Sequence, residues 1–285
     1  MIILWTIAFA SPVFYYVVKE PGMSHMYSFG LIAAFCWVVW QLREKEGLKR
    51  MLLAGFLLGL IIAIRPVNAL ALLAVPFLLG SQARLAYFLQ KQPLHILGAA
   101  GALILALSPQ LIYFLSQSGS LWLDTYPGEH FEFAQPHILD FLFSYRKGFF
   151  LYTPVAFLAL GGLVFLIKND RYQGLCLLGL MLVLIYVLAS WWSWWYGGSF
   201  SARVMVDYLV FVGLLLGYLS QNLSRSYMRG ILVGLLVLFT ALNQIQIYQY
   251  RYEIISYETM TKERYWKYFL RLDKQAKQEA KTTSK

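Results

Sequence analysis

Four cations stand where an apolar chain tolerates charge least. Arg65 lies in "AIRPVN", Arg146 and Lys147 in "SYRKGFF", and Arg203 in "GGSFSARVMVD", each beside an apolar run. Charge at such a place is costly unless it meets a partner, a watery cavity or an anion. Arginine suits a phosphate, because its planar fork donates two hydrogen bonds at once. Each cation also has a plainer use. Arg146 and Lys147 can anchor an interface by snorkelling, and Arg65 can be a paired structural arginine. Pro66, directly after Arg65, breaks a helix and frees backbone groups to line a cavity. Arg203 and Asp207 are four residues apart, so a helix begun there puts them on one face, where they can pair.

Groups for proton transfer are fewer. No Asp or Glu occupies the middle of a long apolar run. Ion-coupled transporters keep carboxylates at membrane depth to bind a proton or cation, so that class is disfavoured. His25, in "PGMSHMYSF", is a lone histidine with a structural or a catalytic use. Glu129, His130 and Glu132 invite a metal reading, but their spacing matches no metal motif; a solvated loop with an amphipathic surface segment is the alternative. No metal site is assigned and no cofactor is expected, with a divalent ion left open. Cys36 and Cys176 sit inside apolar runs and read as small buried hydrophobes.

Aromatic residues crowd the same stretches. Trp191, Trp192, Trp194 and Trp195 fall within five residues. Interfacial tryptophans commonly form an aromatic belt. Gly197 and Gly198 then permit a turn that bulky residues would not.

The elements that must position these groups are membrane helices. The chain is 59% hydrophobic and 13% charged, with a mean hydropathy of +0.58. A soluble domain carries roughly a quarter charged residues. The apolar runs do not alternate as barrel strands would. The predicted fold is an all-α polytopic membrane protein with about nine transmembrane helices. The segments lie near 1–18, 24–41, 51–64, 67–80, 94–116, 150–167, 173–191, 206–221 and 230–248. The first reads as a helix rather than a signal peptide, because it lacks a basic start and a small-residue cleavage site. The third and fourth form a tight hairpin or two half-spans. The bundle covers residues 1–250, and an amphipathic basic tail covers 251–285.

Basic residues orient the bundle. One set of loops holds ten Lys/Arg, in "REKEGLKR", Arg84, Lys91, "KNDR", Arg225 and Arg229. The opposite loops hold five: Lys19, Arg65, Arg146, Lys147 and Arg203. The first set is expected in the cytoplasm. The tail is then outside, against the simple rule, with nine Lys/Arg and five acids. The larger outer loop runs from about residue 117 to 150. Three Gly-x-x-x-Gly pairs, Gly55/Gly59, Gly213/Gly217 and Gly230/Gly234, allow close helix packing. No internal repeat is evident, which also disfavours an inverted-repeat transporter. In this layout Arg65, Arg146, Lys147 and Arg203 share one outer depth and can converge on an anionic lipid headgroup. Aromatics would pack its sugar or isoprenoid chain.

"SYRKGFFLYTPVAFLALGGL" followed by "WWSWWYGGSFSARVMVD" resembles the bacterial GT-C superfamily of glycosyltransferases, including protein O-mannosyltransferase-like and aminoarabinose-transferase-like enzymes. Arg146, Lys147, Gly148, Tyr152 and Pro154 match the first family pattern, with Tyr145 where proline is common. Trp194, Trp195, Gly197, Gly198, Ser199, Phe200, Arg203 and Asp207 match the second; Ser201 and Val204 depart from it. The resemblance runs along essentially the whole chain. It implies transfer of a sugar from a polyprenyl-phosphate carrier to a glycan, lipid or protein acceptor, with inversion. The setting is the outer face of a bacterial cytoplasmic membrane. Arg65, Arg146, Lys147 and Arg203 would bind the lipid phosphate. His25, Tyr152, Trp194, Trp195 and Asp207 would line the pocket, with Asp207 orienting Arg203. Membrane lipid is the other partner, and no nucleic acid is expected. The family's acidic first outer loop has no counterpart in "KEPGMSH". The chain therefore reads as an N-terminally shortened version whose base was encoded upstream, with Glu20, Asp124 and Asp140 as the substitutes this chain offers and none singled out. Two other functions stay open: a noncatalytic accessory protein that binds lipid-linked glycans, and a transporter of them.

Overall fold

The computed structural model of the chain describes residues 1–121, 127–273, 276 and 278–280. Among them the architecture is all-helical, apart from one isolated β-bridge between Phe131 and Trp191. The helices are α1 (Ile2–Phe9), α2 (Val13–Val18), α3 (Ser24–Gln41), α4 (Leu48–Ile64), α5 (Val75–Leu79), α6 (Gln82–Lys91) and α7 (Pro93–Ser118). They continue with α8 (Ile138–Phe143), α9 (Phe149–Tyr152), α10 (Val155–Asn169), α11 (Arg171–Ala189), α12 (Leu209–Asn222), α13 (Ser226–Arg251) and α14 (Lys262–Tyr268). Two 3-10 segments, Pro66–Ala74 and Arg203–Tyr208, precede α5 and α12.

Prolines set several breaks. A residue before proline is pushed out of the α region. Arg65 accordingly ends α4 in an extended conformation, with φ −151° and ψ 113°. Thr153, before Pro154, separates α9 from α10 in the same way. Pro12 divides the first expected span into α1 and α2.

Four stretches are long and apolar enough to cross a membrane: α7, α11, Arg203–Asn222 and α13. The pair Pro66–Leu79 and Gln82–Lys91, bent by 114°, is a fifth candidate. Only 6% of the apolar window of α7 is buried in protein. Such a surface belongs in lipid, since soluble monomers rarely expose contiguous apolar patches of this size. The chain is thus a helical membrane protein. The other expected spans are helical but shorter or broken, except α3, which is long enough but carries Ser24, His25, Ser28 and Gln41. Among the described residues four or five stretches thus meet this criterion, against the nine spans expected.

The chain forms two compact units. The first comprises residues 1–26, 131–165 and 185–285. Here α12 packs on α1, with Gly213 against Ile7 and Gly217 against Ile3. Gly162 of α10 meets the Leu215 backbone so closely that a Cβ would run into its carbonyl. The loop before α8 is pinned to the end of α11: Glu132 N donates to Ser190 O at 2.6 Å and His137 N to Ala189 O at 3.0 Å. The tail is docked as well. Gln249 Nε2 of α13 donates to Tyr268 O at 2.7 Å and Arg271 O at 2.9 Å. Gln246 Nε2 donates to the Tyr265 hydroxyl at 3.0 Å.

The second unit comprises residues 27–130 and 166–184. Its centre is the α4–α7 pair. A Cβ on Gly55 would enter the Ala99 carbonyl, and one on Gly59 would lie 2.7 Å from Ala106 Cβ. Arg43 caps the end of α5 by donating to Leu78 O and, at 2.7 Å, to Phe77 O. Gly80 follows with φ +84°, and a Cβ there would sit 2.7 Å from Arg43 Cζ. Cations at a helix C-terminus satisfy its last carbonyls. Ser81 Oγ then opens α6 by accepting from Arg84 N at 3.2 Å.

Candidate functional site

The re-entry from α8 into α9 is built around Gly148. Its N–H donates to Ser144 O at 2.7 Å, and a Cβ there would fall 2.6 Å from the Phe143 and Ser144 backbone. Only glycine fits so tight a turn. The turn sends the two neighbouring cations in different directions. Lys147 goes inward and is 2% exposed. Its ammonium donates to Gly197 O and Ser199 Oγ. Arg146 instead lies over Trp195, its Cζ 3.8 Å from the ring centroid, while Nε donates to Tyr257 O at 2.8 Å.

The receiving loop is shaped by left-handed backbone. Tyr196, Gly197 and Ser201 have φ of 56°, 61° and 57°. A non-glycine residue held there stores strain that the surroundings must hold in place. Gly197 alone of the two adjacent glycines needs this freedom, and Gly198 lies against the Tyr257 ring. Ser201 Oγ is 3.2 Å from Thr153 Oγ1, within the buried part of the same turn.

Arg203 begins the 3-10 segment and is half-buried. Its charge acts on Lys147, Tyr16 and Tyr250. Among the described residues it makes no ion pair with Asp207. Asp207 is fully buried and lies 2.7 Å from Nδ1 of buried His25. The expected Arg203–Asp207 pairing, with Asp207 orienting the arginine, is therefore corrected. Four residues span a shared face in an α-helix but turn about 120° too far in a 3-10 helix of three residues per turn.

Tyr16 completes this wall. Its hydroxyl donates to Phe200 O at 2.8 Å and accepts from Phe200 N at 3.1 Å. Its ring stands 5.8 Å from His25. Tyr15 donates to Glu20 Oε1 at 2.5 Å, whereas Glu20 Oε2 is buried with no hydrogen-bond partner among the described residues. The Glu20 charge also acts on Lys147, Tyr16 and Tyr250. Burial, then Arg203 and Arg146, holds the Lys147 ammonium well below the usual lysine range, and Glu20 opposes this only in part. Burial lowers Arg146 too, against Glu258 and Tyr257. Three cations thus share a region with Glu20, while Glu258 acts on Arg146.

The remaining expected residues fall as follows. Tyr152 is buried, donating to Tyr145 O at 2.6 Å while its own carbonyl accepts from Asn243 Nδ2 at 2.7 Å. Trp194 stacks on His137 and meets Trp195 edge-on. Arg65 belongs to the second unit, where its carbonyl accepts from Asn68 N at 2.9 Å. Of the expected bases, Asp140 is exposed beside His137, and Asp124 lies outside the described residues. His130 contacts Gly128 O at 3.3 Å. Among the described residues no group of three His, Cys, Asp or Glu is placed to hold a metal ion.

Sequence reasoning missed Tyr16, Tyr250 and Tyr257, whose signal was only an aromatic in or beside an apolar run. It also missed Asn243, Gln246 and Gln249, spaced by three on α13, a polar stripe inside an apolar helix that can be read directly. Comparison with protein-family models, with curated proteins and with solved structures finds no match for this chain.

Proposed function

We propose that the chain is a membrane glycosyltransferase, or the C-terminal portion of one, that uses a polyprenyl-phosphate sugar. The observation that carries this reading is the cluster of Lys147, Arg146 and Arg203, which Glu20 and Glu258 balance only in part among the described residues, with Asp207 engaged by His25. A site with excess positive charge favours a ligand that brings negative charge. The resemblance to GT-C enzymes supplies the reaction. In this reading the site faces the extracytoplasmic side of a bacterial cytoplasmic membrane, the side to which the distribution of basic residues assigns the loops carrying Arg146, Lys147 and Arg203.

In this reading Arg203 and Lys147 hold the carrier phosphate, and Trp194 and Trp195 pack the sugar. The acceptor hydroxyl attacks the anomeric carbon opposite the phosphate. The carbon–oxygen bond to the phosphate breaks, and the polyprenyl phosphate leaves with the electron pair. Fixed cations are worth most where that charge develops. Glu20 takes the acceptor proton through Oε2, the buried oxygen that has no hydrogen-bond partner among the described residues. It fills the role of the base that the resemblance implies.

The test is transfer of labelled sugar from polyprenyl phosphate by the purified chain in lipid nanodiscs. Glu20→Gln should slow transfer about 100-fold or more, as loss of a general base does, without weakening carrier binding. Equal turnover in Glu20→Gln removes Glu20 from the chemistry. Carrier binding without turnover in the unmodified chain supports the accessory reading instead.

A further inference from the structure

The second unit contains a partly open apolar cavity that the proposed reaction does not use. It measures about 330 Å³ and lies among α3, α4, α5, α6, α7 and the 3-10 segment ahead of α5. Every lining side chain is apolar, among them Phe35, Leu58, Leu72, Leu89, Ala100 and Leu103. A buried water needs two to four polar partners, and none faces this space. Its natural content is hydrocarbon. Leu72 and Leu89 line it and are 53% and 61% exposed, which puts its mouth between the 3-10 segment and α6.

The rim carries the second clue. Helix α6 presents Leu85, Phe88 and Leu89 to the cavity and holds Arg84 and Lys91 on the same short element. A helix of this kind lies in the membrane interface, with its basic residues at headgroup depth. The loop at residues 43–50 adds four Lys/Arg against two Glu. Of these, Arg43 is engaged with the end of α5. Glu46 accepts from the Tyr87 hydroxyl at 2.9 Å and from Gln92 at 3.4 Å. Among the described residues no carboxylate pairs with Lys49, Arg84 or Lys91.

From this apolar cavity with a basic rim we infer that the second unit holds one hydrocarbon chain of an anionic membrane phospholipid, its headgroup at Arg84, Lys91 and Lys49. The cavity retains the chain and the rim selects the charge. This site shares no residue with the proposed carrier site, so either can fail without the other.

The experiment uses the full chain in phosphatidylcholine vesicles containing a phosphatidylglycerol with a mid-chain diazirine, followed by photolabelling and peptide mapping. Label is expected at Leu58 and Leu103 above that at Ile112, an exposed residue on α7. Ala100→Trp should remove the cavity label and spare Ile112. Arg84→Gln should lower phosphatidylglycerol labelling about fivefold, the effect of one basic residue at an anionic surface, and leave phosphatidylcholine labelling unchanged. Leu89→Trp, at the mouth, gives a second blocking variant if Ala100→Trp fails to fold. Equal labelling of Leu103 and Ile112, or labelling insensitive to both tryptophans, overturns the site. Equal labelling by diazirine phosphatidylcholine overturns its anionic selectivity.

Discussion

His25 Nδ1 lies 2.7 Å from Asp207 Oδ1, with both side chains buried, and ties the start of α3 to the 3-10 turn ahead of α12. Removing one partner of a buried hydrogen bond to a charged group costs about 1–3 kcal/mol. Asp207→Ala should therefore destabilise, and Asp207→Asn less, because the amide keeps a hydrogen bond. The double variant His25→Ala/Asp207→Ala should recover part of the loss. Unfolding in mixed micelles measures all three, and additive single effects would show that the pair is not coupled.

The glycines separate by what they touch. Gly55→Ala drives a methyl into the Ala99 carbonyl, and overpacking of this kind costs about 1–3 kcal/mol. Gly234 meets nothing within 4 Å. Gly234→Ala should be neutral or stabilising by up to about 1 kcal/mol, the helix-propensity gain. Paired unfolding curves decide, and equal effects at both sites would contradict the packing.

Lys147 predicts opposite pH trends for stability and for anion binding. Its folded-state pKa is lowered, chiefly by burial and then by Arg203 and Arg146. Between that value and the ordinary lysine value, the unfolded chain binds more protons than the folded one, so stability rises with pH across the window. Affinity for a phosphate lipid falls across the same window as the ammonium is lost. Lys147→Arg, which stays charged, should flatten the affinity profile. A wild-type affinity that holds steady up to the ordinary lysine range would refute this assignment.

Gln249 holds the carbonyls of Tyr268 and Arg271. Gln249→Ala leaves both without that donor, at a cost of about 1–3 kcal/mol. Limited proteolysis should then cut within residues 262–271 well before α13. Unchanged protection would mean that other contacts dock the tail.

Much of this was legible in the sequence because it rests on short-range chemistry. Apolar runs marked the helices, Pro66 and Pro154 marked breaks, and "WWSWWYGG" marked the turn that receives Lys147. Gly55/Gly59 marked a close helix pair. What stayed hidden depends on the local helix type and on three-dimensional partners. The Arg203–Asp207 spacing signals a shared face only in an α-helix, and the chain is 3-10 there. Arg146 and Lys147 are identical to a charge count, yet one stacks on Trp195 and the other is buried. Gly230/Gly234 repeats the packing motif without a neighbour within 4 Å. Amphipathic α6 was read as a basic loop, because its apolar face matters only against the cavity it lines.

The central claim is that the Lys147–Arg203 region binds a lipid phosphate. The most direct test is the affinity of the chain in nanodiscs for polyprenyl phosphate and for the corresponding alcohol. A charge-assisted hydrogen bond is worth about 1.5–3 kcal/mol, so Arg203→Ala should weaken polyprenyl phosphate at least about tenfold and leave the alcohol unchanged. Equal affinity for both lipids, or an Arg203→Ala variant that binds the phosphate as tightly as the unmodified chain, would contradict the account.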